Sequence, residues 1–447
     1  MSATDASLDL LIDLIARAKR AGADAADALY AEGVSVSHSQ RLGKTEKLER
    51  AEGRDLGLRV FIGKRQAIVA SSDQSPKALA DLVERAVAMA KAVPEDPFCG
   101  LADPALLARD FPALDLADPD EPAPERLIAH AKEAEEAALA VKGVTNSEGA
   151  EAGWSRGRVA LAASNGFAGA YENTRHSVGV AVVAGEGLGM ERDYDYCTVI
   201  HATDLESPET VGRHAGERAV KRLGARKARS ASVPVVYDPR VSNGLVRHLA
   251  GAINGAAIAR GTSFLKDKMG HVVTSPRLTI VDDPHRKRGL GSKPFDGEGV
   301  ANRRRALVEK GVLQTWLLDS RSARQLGLTS TGHAARGTSG PPGPSTTNLY
   351  LEAGELTPAA LMADIKSGLY VTEMIGMGVS LITGDYSRGA AGFWIEDGKL
   401  AYPVNEITVA GNLKDMFLNL TAANDLVFRY GTDAPTLRVD GMTVAGA

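Results

Sequence analysis

A chain of 447 residues exceeds what one ordinary hydrophobic core supports, so two or three domains are expected. Hydrophobic residues at 44% and 47 glycines fit a globular protein rich in turns and hairpins and exclude a disordered one. A formal net charge of −4 supplies no field to draw in nucleic acid, and no apolar run approaches the about 18 residues needed to span a bilayer.

The amino-terminal stretch MSATDASLDLLIDLIARAKR carries acidic residues through its apolar part and has no basic leader, so it does not read as a secretory signal. Cys99 and Cys197 stand far apart and form neither a disulfide framework nor a CxxC pair. A reducing compartment, the cytosol, is expected.

Leu8, Leu11, Ile12, Ile15 and Ala18 predict a first helix over Ser7–Arg20. Ala25–Val36 and Leu56–Ser71 read as strands, the second a hairpin turning at Gly63-Lys64, and Pro76–Ala92 as an amphipathic helix. Pro94–Pro124, rich in Pro, Asp and Ala, reads as a long surface connection before a helix at Glu125–Val141. Gly143–Thr203 reads as successive antiparallel strands turning at Asn165-Gly166, with Gly185–Gly189 a hairpin tip rather than a nucleotide loop. A helix at Pro208–Leu223 ends this half, and the small, basic run Gly224–Ser232 is a linker.

Asp238–Ser263 reads as one helix, with Asp238 as N-cap, Pro239 at the first helical position and Gly261 as the stop. Val241, Leu245, Leu249, Ala252, Ile253 and Ala256 line its apolar face, and Gly244, Gly251 and Gly255 imply close approach by another backbone or a ligand. Beyond it come a strand at Arg277–Asp283, a hairpin at Arg304–Leu318 turning at Lys310-Gly311, a long Gly/Pro/Ser/Thr loop at Thr329–Asn348 and a short helix at Pro358–Ser367. Asp397-Gly398 is a type I′ turn that sets Phe393 and Ile395 against Leu400 and Tyr402. The basic runs His285–Arg288 and Arg303–Arg305 read as solvated surface.

The class is therefore α+β: an N-terminal antiparallel-sheet and helix region followed by a mainly antiparallel β, barrel-like C-terminal domain. The expected divisions are an α/β subdomain over 1–93, a connecting loop over 94–124, a second α/β subdomain over 125–223, a linker over 224–232 and the barrel-like domain over 233–447.

Chemistry is sparse. Zinc hydrolysis needs three protein ligands and an open position, and no two histidines have HExxH or HExxxH spacing. His248, the only strong ligand type on the glycine-rich helix, reads as a packed histidine. No GxSxG elbow is present. Ser387 in GDYSRG and Ser263 in RGTS are close enough to glycines to be exposed, but neither has a partner histidine nearby in sequence, and Asp385 and Arg388 are expected to pair with each other.

The run TGDYSRGAAGFWIEDGKLAYPVNEITVAGNL, with PFDGEGVANRR, LLDSRSARQLGLTSTGHAARG and the closing DGMTVAG, resembles the TldD/TldE peptidase family, and specifically its TldE, or PmbA, branch. LGLRVFIGKRQAIVASSD extends the likeness into the first domain, so it covers nearly the whole chain. The resemblance implies a heterodimer in which a TldE-like chain joins a TldD-like chain as a zinc metalloprotease that degrades or trims unfolded peptides. The family is linked to microcin maturation and antitoxin turnover and carries an old label as a modulator of DNA gyrase. In TldD-like chains HExxxH lies shortly before an RGTS element, and a later Cys completes the zinc site. Setting Arg260–Ser263 in that register puts Val246, Arg247 and Gly251 where the two histidines and the glutamate would stand, with Asp433 near the Cys position.

The resemblance thus implies a subunit that binds no cofactor itself and has no catalytic residue of its own, zinc being expected in the TldD-like partner. Its expected ligands are unfolded peptides, with neither nucleic acid nor membrane among its partners, and for the isolated chain a monomer and a homodimer both stay open. Gly384, Asp385, Tyr386, Ser387, Arg388, His333 and Arg336 are the expected substrate contacts, on loops Thr329–Asn348 and Thr383–Arg388. The alternatives are a chaperone-like peptide-binding homodimer without proteolysis and an independent hydrolase using Ser387 or Asp385.

Overall fold

A computed structural model describes residues 5–446, so the first four residues of the stretch MSATDASLDLLIDLIARAKR lie outside the described range. Helix α1 (Ala6–Arg20) is capped by Asp5, whose side chain accepts from the Ser7 N–H. Strands β1 (Ala25–Arg41), β2 (Lys44–Ile62) and β3 (Arg65–Ser71) follow, then α2 (Pro76–Ala92), α3 (Pro124–Leu139), β4 (Val144–Ala163), β5 (Ala168–Ala184), β6 (Glu191–Val199) and α4 (Pro208–Lys221). The six strands form one antiparallel sheet in the order β3-β2-β1-β4-β5-β6.

The two expected α/β subdomains thus share a sheet while keeping separate cores. Leu11, Leu14, Leu82 and Val83 of α1 and α2 pack on Ala26 and Ala28 of β1. Farther along the same face, Leu127 and Ala134 of α3 and Val211 of α4 pack around Val36 and Trp154. Even-numbered residues of β1 serve both cores, which puts both helix pairs on one side of the sheet.

The β1–β2 hairpin is longer than its hydrophobic pattern indicated. Residues 37–55 are also strand, turning at Leu42-Gly43, where both φ values are positive. Their polar sequence hides the pairing because residues 44–55 are exposed throughout, and a ribbon in water has no buried face to set an alternation. The connection before α3 is irregular, as expected, but Cys99, Leu114, Leu116 and Asp118 within it are buried. It is braced from the later domain by Arg324, which donates to the carbonyls of Phe98 at 3.0 Å and Gly100 at 3.2 Å.

The second half begins with β7 (Ala231–Tyr237), α5 (Pro239–Ala252) and α6 (Gly255–Ala259). The single helix expected over Asp238–Ser263 is broken here. Ile253 ends α5, and Asn254 starts α6 by accepting the Ala256 N–H. Leu317 forces the break, since its backbone pairs with Ile253 and Gly255, and a Cβ on Gly255 would lie 2.6 Å from the Leu317 oxygen. Gly244, by contrast, has nothing near it, so the close approach expected at all three glycines occurs at Gly255 against backbone and at Gly251 against a side chain.

Then come β8 (Ile280–Asp282), β9 (Arg305–Glu309), β10 (Val312–Leu313), α7 (Ser320–Gln325), β11 (Ala334–Ala335), β12 (Gly343–Pro344), β13 (Leu349–Leu351), α8 (Pro358–Met362), β14 (Ser367–Ile375), β15 (Asp385–Glu396), β16 (Lys399–Asn412), α9 (Leu413–Leu418), β17 (Leu420–Ala422), β18 (Thr432–Asp433) and β19 (Leu437–Ala445). Strands β16, β15, β14, β7 and β19 pair in that order, and β19 pairs back onto β16 through Val409 and Val444, which closes a five-stranded barrel. The turn at Asp397-Gly398 is as expected, with φ of 47° and 76°. Its register is not: Ile395 faces Leu400, but Tyr402 faces Trp394, because an irregularity falls between Trp394 and Ile395.

The domains meet across the sheet face opposite the helices. Leu29 and Leu161 of that face pack with Phe295 of the C-terminal half. Beside them Asp27 is held by Arg59 and by Arg336 from the loop 329–348, the Arg336 bond being 2.7 Å. Among the described residues no helix is long and apolar enough to cross a membrane.

Candidate functional site

Helix α5 carries the positions to which the zinc register points. It starts where Asp238 both accepts the Arg240 N–H at 2.9 Å and receives the Tyr370 hydroxyl at 2.8 Å, tying the helix to β14. Ser242 donates to the Ala434 carbonyl at 3.3 Å, which lays the helix beside β18. Along it Val246 is in the core, Arg247 is exposed, and a Cβ on Gly251 would stand 2.8 Å from Leu381 Cδ1. The Ser263 hydroxyl, expected to be exposed, is buried and donates to the Ala252 carbonyl, so the RGTS element fastens the end of α5.

Asp433 lies buried at the start of this site, its Oδ1 accepting the Arg429 and Tyr430 N–H groups at 2.8 Å. Burial pushes its carboxyl up, against those two hydrogen bonds and the charges of Arg286 and Arg247, which act in the other direction. Val246, Arg247, Gly251 and Asp433 do not fit a zinc ion: one carboxylate already engaged by two N–H groups is the only donor that could bind a metal in the set. Among the described residues no group of three or more His, Cys, Asp or Glu side chains is placed to hold a metal.

His248 projects from the same helix toward β15. Its ring meets that of Tyr386, its Nε2 is buried without a partner, and it is depressed to about 4 by burial and by the charges of Arg388 and Arg247. The imidazole is therefore neutral at ordinary pH.

The loop 376–384 and the start of β15 cover this end of α5. Ser387 N–H donates to the Gly378 carbonyl at 2.7 Å and Arg388 Nε to the Gly376 carbonyl at 2.9 Å. Asp385 accepts from Thr383 Oγ1 at 2.6 Å and Asn412 Nδ2 at 3.2 Å. The expected Asp385–Arg388 pair is absent, because residues three apart on a strand point to opposite faces. Gly384 and Tyr386 are buried, and Asp385 and Ser387 are exposed. No imidazole, amine or carboxylate is hydrogen-bonded to the Ser387 hydroxyl among the described residues, so no base is in place to activate it.

His333 and Arg336 lie elsewhere and face inward. His333 is bound by Thr331 Oγ1 at 2.8 Å and lies 3.3 Å from Asp282. Arg336, with a side chain only 1% exposed, closes the domain contact on Asp27. Neither forms a hydrogen bond or ion pair with residues 384–388.

Sequence reasoning passed over the polar wall that joins β6 to this site. Arg240 binds Asp193 at 2.8 Å and stacks on Tyr194, and Asp193 keeps its guanidinium charged despite burial. Arg429 reaches Asp195 at 3.0 Å and the Tyr196 carbonyl at 2.6 Å. These arginines occupy carbonyls on the free edge of β6 and so protect it from pairing with another strand. The alternation RDYDY over 192–196 was the available signal, placing Asp193 and Asp195 on one face and the tyrosines on the other. The basic run 285–288 is also more than solvated surface: His285 bonds Asn302 at 2.8 Å, and Arg288 bridges Asp115 at 2.6 Å and Asp204 at 3.0 Å.

Three models of one family match the chain in succession: PmbA/TldA metallopeptidase domain 1 over 26–90, the central domain over 117–223 and the C-terminal domain over 230–446. The chain is 41% identical to "Metalloprotease PmbA" of Escherichia coli O157:H7, covering 95% of this chain and 92% of that one. It is 38% identical to "Metalloprotease PmbA homolog" of Haemophilus influenzae, covering 96% and 94%. Among solved structures, a putative modulator of DNA gyrase from Bacteroides thetaiotaomicron superposes with a TM-score of 0.91 at 29% identity, over 99% of this chain and 100% of that one. TldE from Thermococcus kodakarensis shares the fold, with a TM-score of 0.87 at 20% identity over 98% and 100%.

Proposed function

The chain belongs to the PmbA/TldD metallopeptidase family, and from that premise we propose that it is the non-zinc subunit of a two-chain, cytoplasmic peptidase. The observation that carries this reading is α5. In the family's zinc register the helix presents a buried valine, an arginine and a glycine whose free side is filled by Leu381. Arg247 cannot act as a general base at neutral pH, since a guanidinium keeps its proton. Zinc and the base then belong to a TldD-like partner subunit, and this chain binds no cofactor.

Its own part is to complete the chamber and hold unfolded peptide in extended form, which tolerates varied sequences but excludes folded proteins. The exposed Asp385 and Ser387, at the start of β15 where backbone bonds tie it to loop 376–384, are the contacts assigned to that peptide, with Gly384, Tyr386 and Arg388 setting their position. Beside them Ile375, Met377 and Ile382 are 57%, 94% and 63% exposed, an apolar surface suited to a partner chain.

The test is peptide hydrolysis by this chain alone, by the TldD-like partner alone and by both, with zinc measured in each. The expected result is activity only in the mixture, with zinc in the partner. Full activity from the partner alone overturns the proposal.

A further inference from the structure

Arg286 is an arginine without a partner in a wall where its neighbours are paired. Its guanidinium lies over the Phe428 ring, 3.3 Å from the centroid, and makes no hydrogen bond or ion pair with the described residues. The nearby acids act on it only across space: Asp283 accepts the His285 N–H at 2.9 Å, Asp433 holds two backbone N–H groups, and neither forms an ion pair with Arg286. Burial pulls the guanidinium down from its ordinary value, though not far enough to discharge a group that titrates so high.

This arginine lines a cavity of about 250 Å³ between the central and C-terminal domains. Thr198 and Ile200 at the end of β6, Arg288, Asn348 and Arg429 are also in its wall. Phe428 opens the cavity to solvent, being 43% exposed. Stacking fixes the plane of the guanidinium and leaves its N–H edge free, the geometry that receives a carboxylate through two parallel hydrogen bonds. Charge decides between anions. Arg288 is offset by Asp115 and Asp204, and Arg429 by Asp195 and Glu206. Arg286 is then the guanidinium of this lining left without an ion pair among the described residues, a single fork for a carboxylate, and the acids that pair with its neighbours disfavour a phosphate dianion. The cavity also adjoins Asp433, which feels the charge of Arg286.

We propose that Arg286, presented by Phe428, anchors a subsite for a peptide carboxylate, so that this subunit holds its substrate by a charged group as well as by main chain. The inference rests on the peptide-handling role proposed above. The carboxylate is a chain terminus or an acidic side chain, and the experiment separates the two.

An N-terminally labelled, unstructured octapeptide with neutral side chains is made as the free acid, as the C-terminal amide, and as the amide with one internal Asp. Binding of each to the full chain, alone and with the TldD-like subunit, is followed by fluorescence anisotropy, with inorganic phosphate as a competitor. One of the two carboxylate peptides is expected to bind about tenfold tighter than the plain amide, and which one does so identifies the source. Arg286→Gln removes that preference without altering amide binding, Arg286→Lys keeps part of it, and Phe428→Ala weakens it; thermal melting checks that each variant folds. Equal binding of all three peptides, a preference that survives Arg286→Gln, or displacement by phosphate at micromolar concentration overturns the subsite and leaves the peptide-handling role standing. Failure of every peptide to bind overturns both, whereas loss of the two-subunit activity requirement overturns only the role.

Discussion

The ring of His248 meets that of Tyr386 edge to face, with centroids 6.0 Å apart and planes at 74°. In this setting the imidazole stays neutral until about pH 4, mainly because of burial and secondarily because of Arg388 and Arg247. In the unfolded chain it takes up a proton near pH 6.5. Since the unfolded state binds the extra proton first, stability is full above about pH 6.5, declines by up to about 1.4 kcal/mol per pH unit as pH falls, and levels off below about 4. Denaturant unfolding across that window should show the decline in the native chain and lose this component in His248→Gln.

The clasp of Asp27 with Arg59 and Arg336 behaves in the opposite sense. Burial alone raises the Asp27 carboxyl, but the two guanidinium groups outweigh it and hold it below its ordinary value. Its contribution is present above about pH 4 and is lost only as pH falls through the lower, folded value. Arg336→Ala leaves the aspartate with half its compensation and should cost about 3 kcal/mol in unfolding free energy. If Arg336 instead contacts peptide directly, the variant will unfold normally and lose only peptide affinity.

Rebuilding the zinc helix tests the register. Val246→His with Arg247→Glu and Gly251→His should not bind zinc, because a side chain at 251 meets Leu381, whose Cδ1 would stand 2.8 Å from its Cβ. Adding Leu381→Ala opens that side. Zinc uptake by the fourfold variant, measured by metal analysis after dialysis, is the expected outcome, and the absence of zinc would show that the register is misplaced.

Two glycines on β2 should differ sharply. A Cβ on Gly57 would run into the backbone of Thr338 in the loop from the C-terminal domain, whereas one on Gly53 would meet nothing within 4 Å. Gly57→Ala should therefore destabilise by about 1–3 kcal/mol, and Gly53→Ala should be neutral or stabilise by up to about 1 kcal/mol. Thermal unfolding of the two variants side by side provides the comparison.

The parts of this molecule legible in the sequence are those with one wet and one dry face. Helices α1, α2 and α4 stand within a residue or two of their expected limits, and the turns at Gly63-Lys64, Lys310-Gly311 and Asp397-Gly398 carry the residues their backbone requires. The outer β2 arm of the hairpin, residues 44–55, was hidden by solvent on both faces, and the break in α5 by an apolar periodicity that runs on unchanged past Asn254. At the candidate site the missing zinc ligands could be read directly, because an absent donor needs no fold to be recognised. Arg286 could not. Its lack of a partner depends on how its neighbours spend their charges, and Asp115, Asp195, Asp204 and Glu206 lie in other domains of the chain.

The closed barrel also fixes an order of events during synthesis. Strand β7 emerges early in its domain but is paired by β14 and β19, and its Tyr237 hydroxyl meets Met442 across 205 positions of sequence. The six-stranded sheet, whose strands all lie before residue 200, can assemble while the ribosome is still adding the rest. The nascent barrel instead holds β7 unpaired until β14 emerges and stays open until β19 does, which makes that interval the one at which a chaperone would matter most to the yield of this protein.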